Sequence, residues 1–83
     1  MTTQTTEMIS QQVIELASNL SDIPPDQIWL DSQFATDLGL DSLDLAEFVM
    51  MVEDKFEIAV PDKEVETIKT VRDAVQAIQK LRV

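Results

Sequence analysis

Apolar positions recur at helical spacing along most of the chain. Near the N-terminus they fall at i, i+4, i+7, i+8 and i+11, at Ile9, Val13, Leu16, Ala17 and Leu20. One apolar face of this kind predicts a first helix, which Thr5 or Thr6 could cap. Near the C-terminus a similar face, running from Val71 to Leu81, predicts a last helix. Thr70 and Asp73 resemble a capping box for that helix, with Asp in place of the usual Glu.

The helical pattern is interrupted in the first half of the chain by the segment SDIPPDQIWLDSQF. Its two prolines and several capping residues predict a long loop. We expect its apolar residues Ile23, Ile28 and Phe34 to pack onto the core. A second helix is predicted from Asp41 or Ser42 to about Phe56.

A short helix is predicted to start at Pro61, with Ile68 as its apolar anchor. No segment alternates like a strand for long, and FEIAV is the only candidate. We therefore predict an all-α fold, a small four-helix bundle of three longer helices and one short helix. A long loop joins helices 1 and 2. Residues 1–83 are expected to form one domain, with residues 1–6 as a flexible tail.

Composition and charge narrow the classes of function. The chain has 83 residues, no cysteine, no histidine and a net charge of −10. Nucleic acid and anionic lipid would repel it, so a basic protein surface is the natural partner, unless the acidity serves solubility alone. No apolar run approaches the ~18 residues of a membrane span, and Met1–Glu7 lacks the features of a signal peptide. We expect a cytoplasmic protein without membrane insertion.

The predicted second helix is apolar on two sides. One stripe is wide enough to be its core face, and consists of Leu45, Phe48, Val49, Val52 and Phe56. On the opposite side, Leu43, Ala46 and Met50 form an apolar strip at i, i+3 and i+7. Acidic residues surround this strip, namely Asp44, Glu47, Glu53, Asp54 and Glu57. Such a strip is typical of an interaction surface, although scattered surface apolar residues without a function are also common.

Ser42, at the start of this helix, could be a nucleophile, a cap or an attachment site. A nucleophilic serine needs a nearby base, usually histidine, and the chain has none. A calcium-binding EF-hand loop that starts at Asp37 fails, because Phe48 then occupies the position of the bidentate glutamate. The sequence therefore predicts neither a catalytic nor a metal site here.

Serine favours N-caps, but Asp41 is at least as good a cap and could pair with Asp44 in a capping box. Ser42 would then be the first helical residue, and its hydroxyl would be spare. Gly39 permits a left-handed turn just before it. A spare hydroxyl at the positive end of a helix is favourably placed to carry a phosphoester.

These residues resemble a known family. The stretch DLGLDSLDLAEFVMMVEDKFEIAVPDKEVETIKTV is similar to acyl carrier proteins of the discrete, type II kind. The resemblance covers roughly Met8 to Leu81. Its specific part is Asp37-Leu38-Gly39-x-Asp41-Ser42-Leu43, followed by an acidic amphipathic helix and the tripeptide VPD.

The resemblance implies a monomeric carrier and not an enzyme. A phosphopantetheinyl transferase would move phosphopantetheine from coenzyme A onto Ser42, and acyl groups would ride on its thiol in fatty-acid or polyketide synthesis. Ketosynthase, acyltransferase and other acyl-processing enzymes would dock through basic patches. The matching recognition positions are Leu43, Asp44, Ala46, Glu47, Met50, Glu53 and Asp54. The matching acyl-chain pocket consists of Phe34, Leu45, Val49, Val52, Val65 and Ile68. The alternative is an acidic helical adaptor without a prosthetic group.

The chain departs from the family pattern at several positions. Leu40 replaces a frequent small residue, and we expect it to add apolar surface beside Ser42. Asp22 replaces a glycine after the first helix, so the turn there must use Asn19, Asp22 or another geometry. Trp29 and Leu30 stand in a usually polar loop, where apolar residues more often pack inward than project outward.

Overall fold

Four helices account for most of the chain in the computed structural model, which describes residues 6–82. They are α1 (Thr6–Ser21), α2 (Ser42–Phe56), α3 (Asp62–Thr67) and α4 (Val71–Leu81). A single 3₁₀ turn, Pro25–Gln27, lies in the long loop between α1 and α2. The described residues contain no strand, only an isolated bridge between Gln33 and Thr70. The predicted all-α bundle with three longer helices and one short helix is confirmed.

The N-terminal predictions fall largely outside the described residues. Residues 1–5 lie outside them, as do the Thr5 cap and the side chain of Thr6. The helix α1 begins at Thr6, which is the last residue assigned to the predicted tail. The one short helix, α3, begins at Asp62, and Pro61 is the residue that precedes it. The helix therefore starts one residue later than the proline predicted.

The core lies where α1 packs against α4 and α2. The predicted faces are confirmed, because Val13 and Ala17 of α1 are fully buried and Val71 of α4 is too. The α2 stripe contributes Phe48, which is 1% exposed and contacts Phe34 with ring centroids 4.9 Å apart. Burial of these apolar surfaces is the main stabilising contribution to a bundle of this size.

Helix α4 begins with a reciprocal capping box. The Asp73 N–H donates to Thr70 Oγ1 at 3.1 Å, and the Thr70 N–H donates to Asp73 Oδ2 at 3.1 Å. Each bond satisfies a backbone group that would otherwise lack a partner at the helix start. The capping box predicted from the sequence is therefore confirmed, with Asp73 in the glutamate position.

The long loop is anchored to the start of α4 by backbone hydrogen bonds. The Val71 N–H donates to the Ser32 carbonyl at 3.0 Å, and the Arg72 N–H donates to the Leu30 carbonyl at 2.8 Å. The first N–H groups of a helix have no acceptor within it, so the loop supplies acceptors that the helix lacks. Together with the burial of Ile28 and Phe34, these bonds hold the loop against the bundle as predicted.

Among residues 6–82, two non-glycine residues adopt left-handed backbone conformations at helix ends. Asp22 follows α1 with φ 64°, and its N–H donates to the Ser18 carbonyl at 2.8 Å. The turn whose geometry the sequence left open is thus made at Asp22, a residue type that tolerates this region better than most. Glu57 ends α2 with φ 56°. Glutamate, unlike aspartate, is not a residue type that enters the left-handed region readily.

The two large apolar residues of the loop behave differently. Leu30 is half-buried against the core, in agreement with the general tendency of loop apolar residues to pack. Trp29 is 64% exposed, although its backbone N–H donates to the buried Ser32 hydroxyl at 2.8 Å. The backbone of Trp29 is therefore held while its indole projects outward, contrary to the inward packing expected of most loop apolar residues.

Candidate functional site

A tight turn brings the loop to the start of α2. The Gln33 N–H donates to Asp37 Oδ2 at 2.7 Å, and the Leu40 N–H donates to the Phe34 carbonyl at 2.9 Å. Gly39 lies within this turn with φ 69°, in the region that glycine enters without steric cost. A Cβ at Gly39 would meet no atom within 4 Å. The backbone conformation, and not a lack of space, is therefore what favours glycine here.

Asp41 is the N-cap of α2, and Ser42 is its first residue. The Asp44 N–H donates to Asp41 Oδ1 at 2.9 Å, while the Asp41 N–H donates to Asp44 Oδ2 at 3.2 Å. This capping box was one of the two arrangements that the sequence allowed. Because Asp41 supplies the cap, the hydroxyl of Ser42 is not needed to start the helix.

The Ser42 side chain is exposed, and its hydroxyl makes no hydrogen bond within the described residues. Three other serines use theirs: Ser18 Oγ donates to the Ile23 carbonyl, Ser21 Oγ accepts from the Ile23 N–H, and Ser32 Oγ accepts from the Trp29 N–H. Ser10 is not without a partner either. Ser42 is therefore the serine whose hydroxyl is both accessible and free for chemistry.

A largely apolar cavity of ≈ 400 Å³ opens beside Ser42, between the loop, the start of α2 and the end of α3. A cavity of this volume is large enough for a small ligand. Most of its wall is apolar and includes Phe34, Leu40, Leu45, Ala46, Val65 and Ile68. Ser42 contributes to its rim together with Asp41, Glu66 and Lys69. The hydroxyl thus lies at the mouth of a site suited to an apolar group.

The cavity contains part of the predicted acyl-chain pocket. Four of the six predicted residues line it, namely Phe34, Leu45, Val65 and Ile68. The other two, Val49 and Val52, are buried in the core and do not line it. Whether an acyl chain enters here stays a prediction.

Leu40 was expected to add apolar surface beside Ser42, and it does so in the lining of the cavity that Ser42 also lines, without projecting into solvent. The residue is only 6% exposed and lines the cavity. Its backbone is fixed in the turn after Gly39, where the Leu40 N–H donates to the Phe34 carbonyl. Its position two residues before Ser42 is the sequence signal that could have identified it as a lining residue.

The apolar strip on the other side of α2 is exposed, as the helical spacing predicted. Leu43 is 78% exposed and Met50 is 63% exposed, and Ala46 between them is exposed as well. These two large residues lie on a helix whose opposite face is buried, so the fold itself does not use them. Glu47 and Asp54 beside them are also exposed.

Two of the predicted recognition carboxylates serve the fold as well. Asp44 accepts from the Asp41 N–H in the capping box. Glu53 is half-buried, and its Oε2 accepts from the Val60 N–H at 2.9 Å. That bond ties α2 to the segment before α3. Glu47 and Asp54 are therefore the predicted carboxylates that have no structural duty in the described chain.

A groove of ≈ 520 Å³ continues the strip toward α1. It is lined by Glu47, Met50, Glu53 and Asp54, and also by Leu20 and Met51. No local sequence pattern pointed to Leu20 and Met51, because the groove forms only when α1 packs against α2. The groove therefore combines three carboxylates with the apolar side chains of Leu20, Met50 and Met51.

Two other kinds of site are absent from residues 6–82. No group of three or more Asp and Glu side chains in that range is arranged to hold a metal ion. Within the same range, none of the helices combines the length and the apolar character that a membrane crossing needs.

Comparison with known proteins gives consistent matches. The sequence model of the family described as "Phosphopantetheine attachment site" matches residues 11–78. An acyl carrier protein of Sulfurovum sp. (strain NBC37-1) is 44% identical over 69 residues, which is 83% of this chain and 92% of that protein. An acyl carrier protein of Wolinella succinogenes is 41% identical over 71 residues, 86% of this chain and 93% of that protein. One from Campylobacter concisus is 44% identical over 59 residues, covering 71% and 77% of the two chains.

Proposed function

The chain belongs to the acyl carrier proteins, which are phosphopantetheine-bearing carriers and not enzymes, and on that premise we propose that Ser42 is its attachment residue. The observation that carries the proposal is the free, exposed hydroxyl of Ser42 at the mouth of an apolar cavity. Family membership favours a carrier over the acidic adaptor without a prosthetic group.

The residues around Ser42 fit a phosphoester. The first N–H groups of a helix lack acceptors within it and carry partial positive charge, which favours a phosphate at that end. Asp41 takes over the capping, so a modified Ser42 leaves the helix start intact. Once bound, the prosthetic group supplies a thiol for thioester formation, which this cysteine-free chain cannot provide itself.

The cavity and the strip have separate roles in this proposal. Apolar side chains such as Leu40 and Leu45 shelter an acyl chain in the cavity beside Ser42. Leu43 and Met50 contact the enzymes that act on the chain, and Glu47 and Asp54 attract their basic patches. We propose the transferase, a ketosynthase and an acyltransferase as such partners. That the protein is a monomer and that it is located in the cytoplasm stay predictions from the sequence.

The experiment that tests the assignment is a loading assay. The unmodified chain is incubated with coenzyme A and a phosphopantetheinyl transferase, followed by intact-mass measurement and peptide mapping. We expect one adduct, on Ser42. Ser42→Ala should not load, whereas Ser21→Ala, a serine change at the other end of the loop, should load normally. An adduct on Ser32 or Ser21, or normal loading of Ser42→Ala, would show that the assignment is wrong.

A further inference from the structure

Lys69 lies at the mouth of the same cavity as Ser42, 27 positions later in the sequence. It occupies the connection between α3 and α4. Its backbone is held on both sides, because its N–H donates to Asp73 Oδ2 at 3.0 Å and its carbonyl accepts from the Phe34 N–H at 3.0 Å. The residue itself is exposed. An exposed cationic side chain thus extends from a fixed backbone in the lining of the cavity that Ser42 also lines.

Three other basic residues interact with groups outside the cavity. Arg72 pairs with Asp31 at 2.8 Å, and Lys80 pairs with Glu64 at 2.7 Å. Arg82 lies over the Phe56 ring, 5.8 Å from its centroid. Lys69 is the one basic residue in the lining of the cavity, and its ammonium forms no ion pair within the described residues.

The surface around Ser42 is acidic, so a nearby cation affects its electrostatic energy. Asp41 and Glu66 line the same cavity, and the whole chain carries a charge of −10. A phosphodiester on Ser42 adds another negative charge to this acidic surface, which raises the electrostatic energy of the loaded form. A cation at the cavity mouth offsets part of that repulsion.

We propose that the Lys69 ammonium pairs with the phosphodiester carried on Ser42 and so positions the prosthetic arm at the cavity mouth. Lysine binds phosphate as a compact point charge on a flexible four-carbon stem, which suits a partner that must also swing away to reach enzymes. The pairing is exposed and hence weak, so it biases the arm without fixing it. The inference rests on the proposed attachment at Ser42.

The test compares loaded wild-type protein with loaded Lys69→Gln, Lys69→Arg and Lys63→Gln. Lys63 is an exposed lysine outside the cavity lining and serves as the matched control. Phosphorus-31 NMR of the phosphodiester is recorded at low and high salt. We expect a salt-dependent resonance in wild type, Lys69→Arg and Lys63→Gln. In Lys69→Gln the resonance should be shifted already at low salt and respond less to added salt.

A second measurement follows the Lys69 amine itself. The rate of its acetylation by an amine-reactive ester is measured by peptide mapping, before and after loading. Loading should slow acetylation of Lys69 by roughly twofold or more, the size expected for an exposed ion pair, and leave Lys63 unchanged.

The two proposals fail in distinguishable ways. If mass mapping places the adduct on another residue, the assignment of Ser42 is wrong, and the inference about Lys69 falls with it. Suppose instead that the adduct is on Ser42, the phosphorus resonance of Lys69→Gln matches wild type, and Lys69 acetylates equally fast in both forms. The pairing with Lys69 is then wrong, and the attachment site stands.

Discussion

Replacing Ser42 and Asp41 in turn separates capping of α2 from carriage of the prosthetic group. The two residues are adjacent but do different things in the structure. Asp41 Oδ1 accepts the Asp44 N–H at 2.9 Å, whereas the Ser42 hydroxyl has no hydrogen bond within the described residues. Alanine at each position therefore removes one function and leaves the other.

The structure sets the expected magnitudes. Ser42→Ala removes no side-chain hydrogen bond and places the best helix former at the first helical position, so the free energy of unfolding should change by less than about 0.5 kcal/mol. Asp41→Ala leaves the Asp44 N–H without its acceptor and should cost about 1 kcal/mol. In a domain of this size that loss lowers the melting temperature by roughly 4–8 °C. Asp41→Asn keeps the acceptor without the charge and should retain most of the stability.

The assay pairs urea unfolding of each variant with the loading reaction. Function should reverse the order of stability, because Ser42→Ala loses the attachment oxygen and should not load at all. Asp41→Ala should still load, though more slowly, since its helix start is less well formed. Thr70→Ala is a useful reference, because it removes the equivalent acceptor at the start of α4 and should cost a similar amount.

Two results would refute this reasoning. A loss of about 1 kcal/mol or more in Ser42→Ala would mean that the serine hydroxyl contributes to the cap. Unchanged stability in Asp41→Ala would mean that the capping box contributes little to holding α2. If Ser42→Ala also loaded normally, the attachment would have to lie at another residue.

Three further predictions follow from the strip, the cavity and the end of α2. Glu47→Lys should lower kcat/KM of an acyl-processing enzyme for the loaded protein several-fold at low salt. We expect the whole charged surface to contribute about 1–3 kcal/mol to docking, of which Glu47 supplies a part. Added salt should reduce the difference in kcat/KM between Glu47→Lys and wild type. Glu15→Lys makes the same charge change on α1 and should have little effect on kcat/KM. Equal kinetics for the two variants would show that the strip does not take part in docking. A medium-chain acyl form should melt above the unacylated form, because each methylene buried in the cavity contributes up to about 0.8 kcal/mol, less the cost of repacking. Equal melting temperatures would place the chain in solvent. Glu57→Gly should raise the free energy of unfolding by about 0.5–1 kcal/mol in urea unfolding. The substitution relieves the left-handed backbone strain at φ 56°, and the added backbone entropy of the unfolded chain offsets part of this gain. A lower free energy of unfolding would show that the Glu57 side chain stabilises this end of α2.

The pairing of a buried and an exposed apolar face on one helix explains how the protein can be both stable and recognisable. Phe48 and Val52 hold α2 in the core, so Leu43 and Met50 are left free to contact partners. In the docking proposed above, the strip would be presented on a helix that the core already holds in place, which would lower the entropic cost of docking. The strip and Ser42 lie on the same helix, so an enzyme that docked on the strip as proposed would meet both in a fixed geometry.

The sequence by itself determined the local structure. Helix spacing and capping are short-range properties, so the apolar face of α1, the capping box at Thr70 and the two faces of α2 could be predicted directly. The capping box at Asp41 was the favoured one of two arrangements. The position of Ser42 after Asp41 and Gly39 likewise identified the candidate attachment residue. Each of these features depends on residues within a few positions of one another.

Only the tertiary structure decided what lies around that residue. The cavity joins Phe34 of the long loop, Ser42 of α2 and Lys69 between α3 and α4, and no local pattern indicates that these three residues meet. Glu53 has the appearance of a surface carboxylate in the sequence, yet it accepts the N–H of Val60 seven positions away. Trp29 stays exposed although its neighbour Leu30 packs inward. The physical reason is the same in each case: these side chains respond to groups brought beside them by packing, which helical periodicity does not encode.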